Sequence, residues 1–208
     1  MKDEDSRKRS KNETGSYTRL WSLYVLEDKY HANVIKNIIE YNEKYQEFLK
    51  TQKELGVEIV GYVRKSPCDK KEQNRIRLIK RMVDKLRSRS IVDKVFVSKT
   101  SDADQPFHKR DINADTIEET DGTTTDFIEF LNATKKEVIL VVLDYAGLTT
   151  NVEDLKEFLS EQRNITKIIV DKLPITTEVE IFETELLLQD PKAIKKFDCK
   201  KRPIQRSL

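Results

Sequence analysis

Arg64, Lys65 and Ser66 place a hydroxyl beside two cations immediately after an apolar run. A serine hydroxyl is a weak nucleophile that its surroundings must activate. An arginine two places before it offers a permanent charge on a planar fork that matches phosphate oxygens. Together they suit the handling of a phosphate; the plainer alternative is a polar turn between strand and helix. Asp144 closes a second apolar run, VILVVL at 138–143, and either joins the first group at a common edge or caps the next helix. Between the two runs, residues 70–89 carry Lys70, Lys71, Arg75, Arg77, Lys80, Arg81, Lys85, Arg87 and Arg89 against Glu72 and Asp84. That excess either forms a solvated face or binds a polyanion. His108 has no second ligand nearby, and Cys68 and Cys199 lack metal-ligand spacing, so no metal is expected. Five glycines supply no glycine-rich phosphate loop.

The elements that must position these residues are legible around them. Residues 57–63 are β-branched and apolar, a buried strand that Pro67 terminates. Asp69 with Glu72 forms a candidate capping box, and Ile76, Ile79, Val83 and Leu86 give the helix over 70–89 a core-facing stripe. A short strand follows over 94–98. The polar stretch from Ser98 to Thr125 is too long for an idle loop and reads as mobile, functional or both. A helix over 125–133 precedes VILVVL, which reads as a central strand buried on both faces. A helix over 151–162, a strand over 168–170 and a helix over 178–189 complete the pattern. The alternation predicts an α/β fold, a parallel sheet of about four strands flanked by helices. Strand ends on one edge would then gather Arg64, Ser66 and Asp144.

The flanks differ in character. Residues 1–16 are polar and read as a disordered tail, in which Arg7-Lys8-Arg9 is a solvated cluster or a nuclear import signal. Residues 17–56 predict one long amphipathic helix through Tyr24, Val34, Ile38, Tyr41, Tyr45, Phe48 and Leu55, closed by Gly56. It either folds back onto the sheet domain, 57–190, or self-associates through 24–55 as a homo-oligomer. Residues 191–208 read as a loose basic tail. A net charge of +2 excludes a global polycation, so any nucleic-acid argument is local. No apolar run reaches membrane length and the N-terminus is too charged for a secretory signal. Unpaired cysteines fit a reducing, intracellular setting, the nucleus if eukaryotic and otherwise the cytoplasm.

GYVRKS at 61–66, the helix after it, and VVLDYAGLTTNVEDLKEFL at 141–159 resemble the catalytic domain of serine recombinases, the resolvase/invertase family. That family's strand ends Tyr-x-Arg-x-Ser, and a later strand ends Leu-Asp-Arg-Leu-Gly-Arg before a helix. The resemblance spans about residues 57–188. It implies a resolvase-like fold and DNA strand cleavage and rejoining through a covalent phosphoserine, with no metal or nucleotide cofactor. By the same likeness Ser66 is the nucleophile, with Arg64 and Asp144 as its companions. The departures matter as much. Tyr145 and Leu148 stand where two arginines belong, and a further arginine is counted back to Gly122, with Arg110 in the preceding loop either an out-of-register substitute or unrelated to the pattern. Missing donors at a developing oxyanion each cost roughly 2.7–4 kcal/mol of barrier, so the likeness implies a degenerate, pseudoenzyme-like relative of mobile-element enzymes. The expected partner is DNA, bound with low specificity through Arg64, Lys65, Arg75, Arg77, Lys80 and Arg81. The alternative is a non-catalytic DNA- or protein-binding module on the same fold.

Overall fold

The structure is a computed structural model that describes residues 8–11, 17–20, 27–67, 72–112, 114–172 and 179–199. Two units are distinguished, Met1–Ile39 and Glu40–Leu208. In the first, β1 (Lys8–Lys11) pairs antiparallel with β2 (Tyr17–Leu20). A ladder thus stands where composition suggests a disordered tail and the start of a helix; backbone pairing satisfies its polar groups whatever the side-chain charge. The long helix is α1 (Asp28–Glu54), later in its start than spacing predicts.

From Glu40 onward α1 belongs to the second unit and folds back onto it. Tyr45 and Leu49 are buried, with Tyr41 and Phe48 packed against the same cluster. Leu49 rather than Leu55 completes the stripe, for Leu55 is 74% exposed. Gly56 adopts φ +87° and the amides of Gly56 and Val57 bond back to Lys53 and Gln52 at 2.9 and 3.1 Å. This is the left-handed glycine stop that the sequence predicts. Tyr24 and the side chains of His31, Val34 and Ile38 lie outside the described residues, as do Cys68, Asp69, Lys70 and Lys71.

Five strands form the main sheet: β3 (Glu58–Arg64), β4 (Lys94–Ser98), β5 (Val138–Val142), β6 (Ile165–Val170) and β7 (Glu180–Glu183). Their order is β4-β3-β5-β6-β7. The first four are mutually parallel and β7 runs antiparallel to β6. All of β5 is buried at the sheet's centre, as its unbroken apolar run requires. The expected helix over 178–189 is instead β7 followed by α6 (Thr184–Gln189). Its first half alternates rather than repeating at helical spacing: Phe182 leans on the core while Ile181 is 44% exposed, as suits an edge strand.

Odd and even strand residues feed two cores. Ile59, Val63, Val95, Val97, Ile139 and Val141 pack with α1 and α2 (Glu72–Ser90). Val60, Tyr62, Phe96, Leu140, Val142 and Ile168 pack with α3 (Thr124–Ala133), α5 (Val152–Glu161) and α6. An unforeseen short turn, α4 (Tyr145–Leu148), caps the end of β5. The loose tail foreseen from residue 191 is corrected up to Cys199. There α7 (Pro191–Ile194) and a 3-10 turn over Lys195–Phe197 bury Ile194 and Phe197 completely or nearly so. Two apolar side chains spaced three apart let lysine-rich chain dock while its ammonium groups stay wet. Among the described residues no helix is long and apolar enough to cross a membrane.

Candidate active site

β3 sits between β4 and β5, and the chain leaves it to one side through α2 and returns to the other through α3. Such a reversal opens a crevice at the carboxyl ends of the strands, the usual ligand position of an open α/β sheet. Arg64, the last residue of β3, fills this crevice and is 7% exposed. Its Nε and Nη2 donate to the Ala146 carbonyl of α4 at 2.9 and 2.7 Å, bridging from β3 to the turn after β5. Nη1 donates to the Ser101 carbonyl at 2.6 Å and to Ser66 Oγ at 2.8 Å. Ser66 is half-buried, and among the described residues Arg64 alone hydrogen-bonds it. Burial lowers the Arg64 pKa, and the neighbouring Arg110 cation pushes the same way. A guanidinium stays charged regardless.

Arg110 lies behind this pair and is 1% exposed. Its Nε donates to the Gln105 carbonyl at 2.8 Å, and Nη1 to the Leu148 carbonyl at 2.7 Å and Tyr62 Oη at 3.2 Å. The guanidinium also covers the Phe107 ring at 4.2 Å. Neither arginine forms an ion pair among the described residues; each is held by carbonyl and hydroxyl oxygens. The carboxylates of Asp144 and Asp102 act on Arg64, and that of Asp154 on Arg110, which offsets part of the positive charge at this edge. Arg110 and Phe107 tie the described part of the polar stretch 98–125 to α4 and α5. Phe107 stacks on Phe158 at 4.2 Å, and its amide donates to Asp154 at 3.2 Å.

A buried hydroxyl network continues from Arg110. Tyr62 Oη and Thr124 Oγ1 lie 2.8 Å apart, and Thr124 donates to Asp111 at 2.5 Å. Asp111 also accepts from Ser101 Oγ at 3.5 Å, which links the network to the loop that Arg64 holds. Asp111 adopts φ +52°, a strained left-handed conformation that aspartate tolerates better than most residues. Sequence reasoning missed Ser101, Asp111 and Thr124. Their one signal is a hydroxyl- and acid-rich segment longer than a plain connection needs.

The second motif behaves differently. Asp144 is exposed and accepts from the Gly147 amide, so its visible work is to cap α4. Tyr145 is half-buried and donates to Glu180 at 2.7 Å. Leu148 is fully buried in the core below. Gly122 adopts φ +141°, and a Cβ built on it would meet Asp126 Cβ at 2.5 Å. Positions 122 and 148 therefore have no room for the arginines that the family pattern would put there.

The cations of α2 divide into two groups. Lys80 faces Glu118 and Glu119 at 3.8 and 3.6 Å, and Arg87 faces Asp121 at 3.9 Å. Arg89 pairs at 2.7 Å with the fully buried Asp171. Lys65, Arg75, Arg77 and Arg81 have no ion pair among the described residues. The cations expected on DNA thus shrink to these four: Arg64 is buried in the site and Lys80 is neutralised. No group of residues able to hold a metal ion occurs among the described residues. No protein-family model and no curated protein matches the chain.

Proposed function

We propose that the sheet domain is a serine recombinase-like module in which Ser66 attacks a DNA phosphodiester and Arg64 steadies the developing charge, with strand-cleaving activity much weakened. The observation that carries this is the 2.8 Å hydrogen bond from Arg64 Nη1 to Ser66 Oγ at the sheet's switch point. As an acceptor from Arg64, Ser66 keeps its own proton available for transfer as its oxygen bonds to phosphorus. The phosphorus–oxygen bond to the departing strand breaks, and that oxygen leaves as a 3′ hydroxyl. A cation on the nucleophile stabilises alkoxide character without metal.

The weakening follows from where the donors point. A phosphate in flight needs several preorganised cations around it. Arg64 already spends donors on the Ala146 and Ser101 carbonyls, and Arg110 is locked onto Gln105, Leu148 and Tyr62. Tyr145 and Leu148 add no charge. DNA is held with little sequence preference by Lys65 and the exposed cations of α2, since phosphate contacts carry no sequence information. The test is incubation with supercoiled DNA followed by a denaturing gel. A slow protein–DNA adduct that Ser66→Ala abolishes is expected. Binding without any adduct would replace this reading with a non-catalytic DNA-binding module, which the occupied donors of Arg64 favour.

A further inference from the structure

Tyr145 is a docking pad for the chain's own C-terminal segment. Phe197, fully buried, meets the Tyr145 ring edge-on with centroids 4.9 Å apart and lies 6.0 Å from Phe182. Glu180 on β7 gathers three donors: Tyr145 Oη at 2.7 Å, Lys196 Nζ at 2.6 Å and the Lys172 ammonium. Lys172 Nζ also stands 4.5 Å over the Tyr145 ring. One aromatic contact and one carboxylate therefore clip residues 191–197 to α4 and to an edge strand. Past Phe197 the chain stays at the carboxyl edge. Asp198 lines an open cavity of about 430 Å³ with Asp104, Thr150, Asn151 and Glu153.

We propose that residues 191–199 form a latch that closes over α4 and restricts access of a phosphodiester to the Arg64–Ser66 edge. The inference rests on that edge being the DNA-facing one. One physical effect makes the closed latch inhibitory. The grip on Tyr145 fixes α4, whose Ala146 carbonyl occupies two donors of Arg64. Release of α4 frees those donors for phosphate oxygens. The ionic anchor of the latch is partly solvated, with the Glu180 and Lys196 side chains 29% and 50% exposed, and opening also uncovers two buried apolar side chains, Ile194 and Phe197. Local opening of so short a segment costs less than global unfolding.

The test measures amide exchange and duplex affinity at low salt in the full chain and three variants. Glu180→Gln removes the anchor, Phe197→Ala removes the aromatic contact, and Glu183→Gln is a charge control. Glu183 lies on the same strand and pairs with Lys167 at 3.2 Å, away from the latch. In Glu180→Gln and Phe197→Ala, residues 190–199 exchange at least about tenfold faster while β3 and β5 keep their protection. Both variants also bind duplex about tenfold more tightly, and Glu183→Gln stays near the wild type. Equal tightening in Glu183→Gln would overturn the proposal, because charge alone would then explain it. Faster exchange without tighter binding, or no change in exchange in Glu180→Gln, would overturn it too. The expected affinity pattern with no Ser66-dependent adduct in any variant would support the latch while removing the catalytic reading.

Discussion

Replacing Arg110 by alanine tests whether the buried guanidinium is scaffold or catalyst. Four acceptors lose a donor: the Gln105 and Leu148 carbonyls and the Tyr62 hydroxyl, at 2.8, 2.7 and 3.2 Å, and the Ala103 carbonyl at 3.5 Å, which keeps the Thr150 amide and is left out of the sum. An orphaned buried acceptor costs about 1.5 kcal/mol, hence about 4.5 for the set. Loss of the stack on Phe107 adds about 1 kcal/mol. Removing a desolvated cation that lacks a carboxylate partner returns roughly 2 to 3 kcal/mol. The net loss is about 3 kcal/mol, a large share of the 5–15 kcal/mol typical of a domain. Urea unfolding at pH 7, followed by far-ultraviolet circular dichroism, reads it directly. With a slope of about 2 kcal/mol per molar, the midpoint falls by about 1.5 M. Exchange rises first in the loop around Ala103 and Gln105, which Arg110 ties to α4. A midpoint within about 0.3 M of the wild type would refute the reasoning, and would mean that Arg110 is free to serve the phosphate.

Three further outcomes follow from the same geometry. Leu148→Arg and Gly122→Arg unfold the domain, the first by burying a charge in the core and the second by forcing a Cβ into Asp126; Tyr145→Arg keeps its melting cooperative, because position 145 is half-buried beside Glu180. Thermal melts of the three separate these cases. Burial alone would raise the Glu180 pKa, but hydrogen bonds from Lys172, Lys196 and Tyr145 bring it to about 2 from an ordinary 4.5. A depressed carboxyl stabilises the fold above its unfolded value, so the stability gap between wild type and Glu180→Gln is constant above about pH 5 and vanishes as pH falls from 4.5 towards 2. Denaturant titrations of both proteins across pH 2–7 check the sign. Four cations without an ion pair among the described residues, Lys65, Arg75, Arg77 and Arg81, predict a slope of about −3.6 for log affinity against log salt on duplex DNA, and a slope near zero would remove α2 from the interface.

How much of this was legible in the sequence depends on whether local signals sufficed. Runs such as VILVVL announce a doubly buried strand because nothing polar interrupts them, and Gly56 announces a helix end because only glycine is comfortable at its φ. Asp144 as a helix cap was likewise within reach. The edge strand β7 was not, since Glu-Ile-Phe-Glu is short enough for two periods to fit and only pairing with β6 decides. Phe197 looks stranded among lysines until Tyr145 and Phe182, distant in sequence, receive it. The Arg64–Ser66 pair was visible as residue types two apart, but the commitment of Arg64 to Ala146 and Ser101 is a tertiary fact. Arg110 could be proposed as a stray arginine, and only its buried partners show it to be a tie between loops.

The claim that Arg64 and Ser66 form a weakened phosphoryl-transfer site is tested most directly by peptide mapping after incubation with supercoiled DNA at low salt. The predicted result is a nucleotide mark on Ser66, accumulating slowly, absent from Ser66→Ala and reduced a further hundredfold or so in Arg64→Ala. A mark on another residue, or rapid stoichiometric conversion at Ser66, would contradict the account. So would a mark whose yield is indifferent to Arg64.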